Sequence, residues 1–317
     1  TGVVTVVSVL FTAGAMIGFS FANAFWILCV LAVPYGLGAG GVDAALNNYV
    51  ALHYKSRHMS WLHCFWGVGT IVSPFIMSAC LTGTQGWPGG YRIVSYIQFA
   101  LVAVLFLSLP LWKKRPGAEL SAKPLTLPQT LRLRGVAFML IGFFAYSAVE
   151  ATAMNWASSY LTEFRGVSAE RAAMFGSLFF IGITAGRLLS GFVSERLGDR
   201  TLIRIGIGVI VAGIVLIALP VRTDVCALAG FVVVGFGCAP VYPSIIHATP
   251  FNFGAENSQA VIGVEMASAY VGTTFMPPLF GLIAQYIDIG YLPLFLAIFL
   301  VLLFCICLLY TSDAADD

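Results

Sequence analysis

Four ionisable residues lie inside long apolar stretches of this sequence, where charged side chains are rare. They are Asp43, Glu150, Arg187 and Glu265. An ionisable side chain at the centre of a membrane costs about 2.5–3.5 kcal/mol on insertion scales, so each is a functional candidate. Arg187 and Glu265 fit a buried ion pair, which is either static or broken by a substrate or a proton. Alternatively, Arg187 extends toward the cytoplasmic surface.

Glu150 and Asp43 indicate two kinds of binding chemistry. Glu150 has no basic residue near it in the sequence. An acid held away from water without a cationic partner is the chemical type that proton coupling requires, and a hydrogen-bonded structural acid is the alternative. Asp43 and Asn47 share a helix face. Their side chains either bind the hydroxyl groups of a sugar or hold neighbouring helices together.

Aromatic and polar residues extend this candidate site. Trp66 and Trp156 are candidates for stacking on a sugar ring, or for packing at an interface. His63 is either a ligand or a hydrogen-bonded residue near the cytoplasmic start of its helix. Three further candidates rest on the same argument: Asn155, Tyr242 and Tyr270.

The composition shows which elements must position these residues. Charged residues make up 9% of the chain and hydrophobic residues 59%, whereas soluble domains carry about 25% charged residues. We therefore expect an all-α, polytopic membrane protein without a nucleic-acid-binding surface. A membrane-spanning helix needs about 20 apolar residues. Ten runs qualify: 3–22, 25–50, 60–82, 93–112, 135–161, 171–194, 201–220, 225–247, 257–286 and 290–310.

Two short strings recur at nearly one offset. The string Gly-Leu-Gly at 36–38 matches Gly-Phe-Gly at 235–237, 199 positions later. The string Val-Gly-Thr-Ile-Val-Ser-Pro at 68–74 matches Val-Gly-Thr-Thr-Phe-Met-Pro at 271–277, 203 positions later. Repeats of this length predict two related halves. The offset leaves 135–200 without an amino-terminal counterpart, so we expect the first two of twelve helices to be missing from this chain.

The basic residues predict which side each loop faces. Twelve lie at alternate loops or close to them: Lys55, Arg57, Lys113, Lys114, Arg115, Lys123, Arg132, Arg134, Arg187, Arg196, Arg200 and Arg204. Four lie on the other side: Arg92, Arg165, Arg171 and Arg222. The positive-inside rule places the larger set in the cytoplasm. We therefore predict a cell-membrane protein whose central loop and carboxy terminus are cytoplasmic.

The basic segment 113–134 divides the first four runs from the other six. We predict a truncated amino-terminal half over 1–112, a cytoplasmic central loop over 113–134 and a carboxy-terminal half over 135–310. The tail 311–317 fits no span, and we interpret it as a processing or sequencing artefact. The 33 glycines are interpreted mainly as sites of close helix packing.

The segment 191–200 reads Gly-Phe-Val-Ser-Glu-Arg-Leu-Gly-Asp-Arg. It is similar to the cytoplasmic motif Gly-x-x-x-Asp-Arg-x-Gly-Arg-Arg of the major facilitator superfamily, with Glu195 in place of the first Asp and Asp199 in place of the first Arg after Gly. The resemblance implies that the segment helps to hold one conformation shut, its acid capping a helix and its arginines pairing locally. An ordinary charged loop is the alternative. The gating or structural charges are Arg187, Glu195, Arg196, Asp199 and Arg200.

Finer detail resembles the fucose:proton symporter branch of that superfamily and its uncharacterised relatives. The resemblance rests on 36–48, 62–69 and 150–161. Drug/proton antiporters carry an Arg before the Gly-x-Gly string, and here that position is Ala32, which argues against that branch.

These resemblances and the membrane acids predict a secondary transporter. We expect proton-coupled uptake of a sugar or related metabolite, by a monomer, through rocking of two halves around a midplane site. One alternative is an exporter of drugs or metabolites on the same fold, and another is a membrane sensor that binds a solute without moving it. No nucleophile–base pair and no metal-ligand spacing is present in the sequence, so we expect neither an enzyme nor a cofactor or metal.

Overall fold

The computed structural model describes residues 1–112, 125–221 and 224–313. Within these ranges the chain is mostly α-helical and contains no strand. The helices are α1 (Gly2–Phe19), α2 (Phe25–His53), α3 (Ser56–Thr82), α4 (Gly86–Leu107), α5 (Leu127–Leu131), α6 (Val136–Ser159), α7 (Ala169–Leu197), α8 (Asp199–Ala218), α9 (Val225–Phe253), α10 (Ser258–Ile283) and α11 (Leu292–Asp313).

Ten of these described helices are long, and each coincides with one predicted run. Nine apolar stretches in the described part are long enough to cross a membrane, because α10 and α11 count as a single stretch over 258–307. A π-helical turn over Ala284–Asp288 and a 3-10 turn over Ile289–Tyr291 separate these two helices. The prediction of an all-α membrane protein is confirmed.

The ends of several helices differ from the predicted runs. α4 begins at Gly86 rather than at residue 93, since backbone hydrogen bonds continue through glycine and polar residues beside an apolar run. α11 continues to Asp313, so the first residues of the tail are helical, while the apolar stretch long enough to cross a membrane ends at residue 307. The remainder of the tail and residues 113–124 of the central loop lie outside the described residues.

The described helices form two compact units. The first comprises residues 1–53 and 68–112, in which α1 packs against α2 and α4. The second comprises residues 54–67 and 125–313. There, α6 packs against α7, α9, α10 and α11, while α8 packs against α9 and α11. The first turns of α3 therefore group with the helices that follow the central loop.

The repeated Gly-x-Gly strings make equivalent helix contacts. A Cβ atom on Gly38 would lie 3.0 Å from Cβ of Phe11 on α1. A Cβ atom on Gly237 would lie 2.7 Å from the backbone nitrogen of Ile210 on α8. Phe11 and Ile210 are themselves 199 positions apart. The second glycine of each string thus allows the preceding helix to approach closely.

Candidate functional site

An ion pair joins α6 to α7 inside the second unit. Nη2 of Arg187 lies 3.2 Å from Oε1 of Glu150, and the two side chains are 4% and 16% exposed. Tyr146 precedes Glu150 by one helical turn, so the two share a face of α6. The Tyr146 hydroxyl donates to the carbonyl oxygen of Cys238 at 2.9 Å, which fixes this face of α6 against α9.

The guanidinium of Arg187 makes further contacts with α3. Nη1 donates to the carbonyl oxygen of His63 at 3.3 Å. Cζ lies 5.0 Å from the centre of the Trp66 ring, a distance suited to a cation–π contact. Among the described residues, Nε of Arg187 is buried and has no hydrogen-bond partner. One donor of this cation is therefore unsatisfied in this conformation.

Aromatic rings form the wall beside this pair. The ring of Tyr242 on α9 lies 4.6 Å from the ring of His63 and 4.8 Å from that of Phe143, measured between centroids. The Tyr242 hydroxyl lies 3.1 Å from Sδ of Met266 on α10. We call Glu150, Arg187, His63, Trp66 and Tyr242 the Glu150–Arg187 cluster. Its members come from α3, α6, α7 and α9.

Glu265 lies apart from this ion pair. Its side chain is fully buried, and Oγ1 of Thr249 on α9 lies 3.0 Å from each of its carboxylate oxygens. Two expectations were therefore wrong: Arg187 pairs with Glu150 rather than with Glu265, and Glu150 is not an unpaired acid. The reason is geometric, because α6 and α7 are packed neighbours although Glu150 and Arg187 are distant in sequence.

Three other candidate residues occupy different surroundings in the second unit. Nδ2 of Asn155 donates to the carbonyl oxygen of Ala151 at 2.7 Å, within α6. Nε1 of Trp156 donates to the carbonyl oxygen of Pro277 on α10 at 2.9 Å, so Trp156 ties two helices together. Tyr270 on α10 is 43% exposed.

Asp43 and Asn47 lie one turn apart on α2, in the first unit. Nδ2 of Asn47 donates to Oδ1 of Asp43 at 2.8 Å, and Asn47 is 1% exposed. The shared helix face that the spacing predicts is therefore present. The pair offers a carboxylate next to an amide, which is a suitable arrangement for binding hydroxyl groups.

A second charged cluster lies at the α7–α8 turn. Glu195 pairs with Lys55 at 3.2 Å and also with Arg57. Oδ2 of Asp199 lies 2.7 Å from Nδ1 of His247, and its Oδ1 accepts a hydrogen bond from Ser56 at 2.6 Å. The two acids of the segment 191–200 thus contact the start of α3, and Asp199 also contacts α9. The two arginines of the segment, Arg196 and Arg200, are exposed.

The family model described as "Major Facilitator Superfamily" matches residues 2–263 and residues 138–317. The chain belongs to the Major Facilitator Superfamily. The sequence resemblance carried by the segment 191–200 is thereby confirmed, and the fold is that of a transporter family rather than of an enzyme family.

Curated relatives within the superfamily are distant. An uncharacterised MFS-type transporter of Yersinia pestis is 28% identical over 269 residues, which cover 81% of this chain and 66% of the relative. The glucose/mannose transporter GlcP of Bacillus subtilis is 22% identical over 240 residues, covering 71% of this chain and 58% of the relative. The chain thus spans under two thirds of the length of these relatives.

Solved structures show the same fold. FucP in its outward conformation superposes with a TM-score of 0.81 at 15% identity, covering 98% of this chain and 83% of that chain. The likeness to FucP agrees with the branch that the sequence resembles. At this level of identity the comparison supports the fold alone.

The sequence interpretation missed several residues around these sites. Tyr146 lies beside Glu150 and ties α6 to α9. Its position one turn before Glu150, on the same helix face, could have identified it from the sequence. The hydroxyl group of Thr249 donates a hydrogen bond to Glu265, and that of Ser56 donates one to Asp199. Both contacts join different helices, so no spacing within the sequence indicates them.

Proposed function

We propose that this chain works in a secondary transporter that couples the uptake of a small polar solute, a sugar or a related metabolite, to a proton by alternating access. The Glu150–Arg187 ion pair is the observation that carries the proposal. A paired acid and base between two helices of one unit, beside aromatic rings, can bind a solute and can respond to a proton.

The contacts of the pair favour a hydroxyl-bearing solute. A hydroxyl group both donates and accepts hydrogen bonds, so one solute can donate to Glu150 and accept from Arg187. The unsatisfied Nε donor of Arg187 adds a contact for such a group once the cluster opens. Trp66 is 46% exposed and presents a ring face against which a sugar can stack. The names of GlcP and of a hexuronate transporter of Bacillus subtilis, 24% identical, support a sugar or sugar acid.

The proton has a specific role in this proposal. Protonation of Glu150 removes its charge and weakens its attraction to Arg187, which frees the guanidinium to bind the solute or to let α6 and α7 move apart. Breaking a buried ion pair without compensation costs about 3–5 kcal/mol. A proton and a solute that arrive together supply that compensation, so the pair links their binding.

We further propose that the segment 191–200 acts as a conformational latch through Glu195 and Asp199, in a monomer of the cell membrane with a cytoplasmic central loop. Its support is the contact of these acids with Lys55, Arg57 and His247. We also propose that the chain is divided as the sequence predicts, into halves over 1–112 and 135–310 joined by a central loop over 113–134.

Transport assays with reconstituted protein test the coupling. Proteoliposomes with an imposed inward proton gradient are offered labelled glucose, mannose and a hexuronate. We expect gradient-driven uptake of at least one, and we expect Glu150→Gln to abolish the dependence on the gradient while solute exchange without a gradient continues. Glu163→Gln is the matched control, because Glu163 is an exposed acid outside the cluster.

Other outcomes distinguish the alternatives. Two outcomes contradict the proton role. One is uptake by the unmodified protein that does not depend on the gradient, and the other is uptake by Glu150→Gln that still depends on it. Efflux driven by the gradient instead of uptake supports an exporter. Binding of a solute without any flux supports a sensor.

A further inference from the structure

Two apolar cavities of the second unit meet at Arg204. The first has a volume of about 70 Å³ and lies among α6, α8, α9 and α11, with Arg200, Arg204 and Asn252 in its lining. The second has a volume of about 380 Å³ and is a groove between α8 and α11. Its walls are aliphatic and aromatic, including Ile207, Val211, Val215, Leu300, Val301 and Phe304. Neither cavity is lined by a member of the Glu150–Arg187 cluster.

The groove ends at one arginine, Arg204, and the smaller cavity beside it adds a second, Arg200. Arg200 and Arg204 are four residues apart on α8 and therefore share one face. Both are exposed, and within the described part of the chain neither forms an ion pair. Asn252 adds a neutral hydrogen-bonding group beside them. Two arginine side chains on one helix face suit a phosphate group, because guanidinium donors bind phosphate oxygens in pairs.

The groove has the length of one lipid chain in one leaflet. Val215 lies eleven positions after Arg204, and a rise of 1.5 Å per residue makes this span about 16.5 Å. Half of a hydrocarbon core is about 15 Å thick. Gly208 lies in the lining between these ends, and a Cβ atom placed on it would meet no atom within 4 Å. The groove is therefore open at Gly208, between its two ends.

We propose that this groove is a binding site for an anionic phospholipid, with its phosphate at Arg200 and Arg204 and one acyl chain along α8 and α11. The two arginines favour an anionic group, and the apolar groove favours an acyl chain. A free phosphate would use the arginines and leave the apolar groove unfilled, whereas a zwitterionic lipid would fill the groove but bring a cationic group to the arginines. The proposal does not depend on the transport function.

Native mass spectrometry of the purified full chain tests the site. The protein is equilibrated with equimolar phosphatidylglycerol and phosphatidylcholine that carry the same two oleoyl chains. We expect phosphatidylglycerol to be retained preferentially. Arg200→Gln and Arg204→Gln should each lower its affinity about fivefold, from the contribution of one basic residue at an anionic membrane surface. Arg171→Gln is the control, since Arg171 is exposed elsewhere in the unit.

A second variant tests the groove separately from the charges. Gly208→Leu places a bulky side chain in the groove at a position where a Cβ atom meets no atom within 4 Å, so it should lower phosphatidylglycerol retention while the protein elutes normally in gel filtration. Gly208→Ala should retain the lipid, because a methyl group leaves most of the groove open.

Three results would overturn the proposal. Equal retention of the two lipids would mean that the groove is ordinary lipid-facing surface. Full displacement of phosphatidylglycerol by millimolar inorganic phosphate would indicate an anion site instead. Unchanged retention in Gly208→Leu would show that no acyl chain occupies the groove.

Discussion

Glu265 and Thr249 illustrate how one hydroxyl group supports a buried acid. The carboxyl group of Glu265 is fully buried, and among the described residues its hydrogen-bonding partner is Thr249. The Thr249 hydroxyl also lies 3.1 Å from the carbonyl oxygen of Ile245. The hydroxyl bridges helix α9 to the acid on α10, and among the described residues no other side chain hydrogen-bonds to this acid.

We expect Thr249→Val to destabilise the protein by about 1–3 kcal/mol, because a buried polar group that loses its partner retains its full desolvation cost. Thr152→Val is the matched control. The Thr152 hydroxyl is also fully buried, but it has no hydrogen-bond partner among the described residues, so its replacement by Val should be neutral or stabilising. Apparent melting temperatures in one detergent check both variants. Equal effects of the two substitutions would contradict the bridging role of Thr249.

At the residue scale, five of the candidate residues lie in one cluster, whereas the predicted ion pair was wrong. The five are His63, Trp66, Glu150, Arg187 and Tyr242, and their role in transport stays a prediction. The pairing was assigned incorrectly because position along a helix gives depth, but not the neighbour that a side chain faces. Arg187 is long enough to contact groups on both α3 and α6, and no local pattern encodes that choice.

At the scale of whole elements, the close contact between α8 and α9 depends on glycine residues. Gly213 and Gly230 face each other: a Cβ atom on Gly213 would lie 2.9 Å from the Gly230 carbonyl oxygen, and one on Gly230 would lie 2.8 Å from the Gly213 carbonyl oxygen. Gly206 and Gly237 make the same reciprocal contact. The interpretation of glycine as a packing residue is confirmed at these positions, where small side chains let two backbones approach closely.

A single methyl group on the packed face of α8 should therefore be costly. Gly213→Ala should lower stability by about 1–3 kcal/mol, the usual cost of overpacking a tight contact. Gly208→Ala on the same helix meets no atom within 4 Å and should instead stabilise the helix by about 0.5–1 kcal/mol. Thermal unfolding of the two variants compares the same chemical change at two faces. A stabilising effect at both positions would show that α8 and α9 are less closely packed than described.

At the same scale, the number of helices could be predicted, whereas their ends could not. Apolar length identifies each span because lipid requires it, and every run overlaps one long helix. Hydropathy does not mark the last hydrogen-bonded turn, so α4 and α9 both extend beyond their runs. The π-helical turn between α10 and α11 had no sequence signal of its own.

For the whole molecule, the order of the helices repeats along the chain, whereas the candidate acidic residues do not. Helices α1–α4 correspond in order to α8–α11 under the offset of 199–203 positions, and their Gly-x-Gly contacts are equivalent. The candidate acids do not repeat: Asp43 corresponds to Tyr242, and Glu265 corresponds to Leu62. The ion pair lies on α6 and α7, which have no counterpart in this chain. The predicted repeat thus extends to the helix packing, but not to the candidate polar groups.

The predicted sidedness of the chain can be tested at two turns of the second unit. The turn near Gly166 has Arg165 and Arg171 beside it and is predicted to face outward. The turn near Gly254 contains no Lys or Arg, so its cytoplasmic placement follows only from the number of helices between the two turns. Glu163 and Glu256 are exposed acids at these turns and are suitable sites for single cysteine probes.

In a background without the native cysteines, Glu163→Cys should react with a membrane-impermeant maleimide in intact cells. Glu256→Cys should react only after the cells are opened, because α7, α8 and α9 lie between the two turns, and an odd number of crossings places them on opposite sides. Labelling of both sites in intact cells would mean that one of these three helices does not cross the membrane. Labelling of Glu256→Cys alone in intact cells would mean that the orientation is opposite to the predicted one. The basic residues around Glu195 would then face outward.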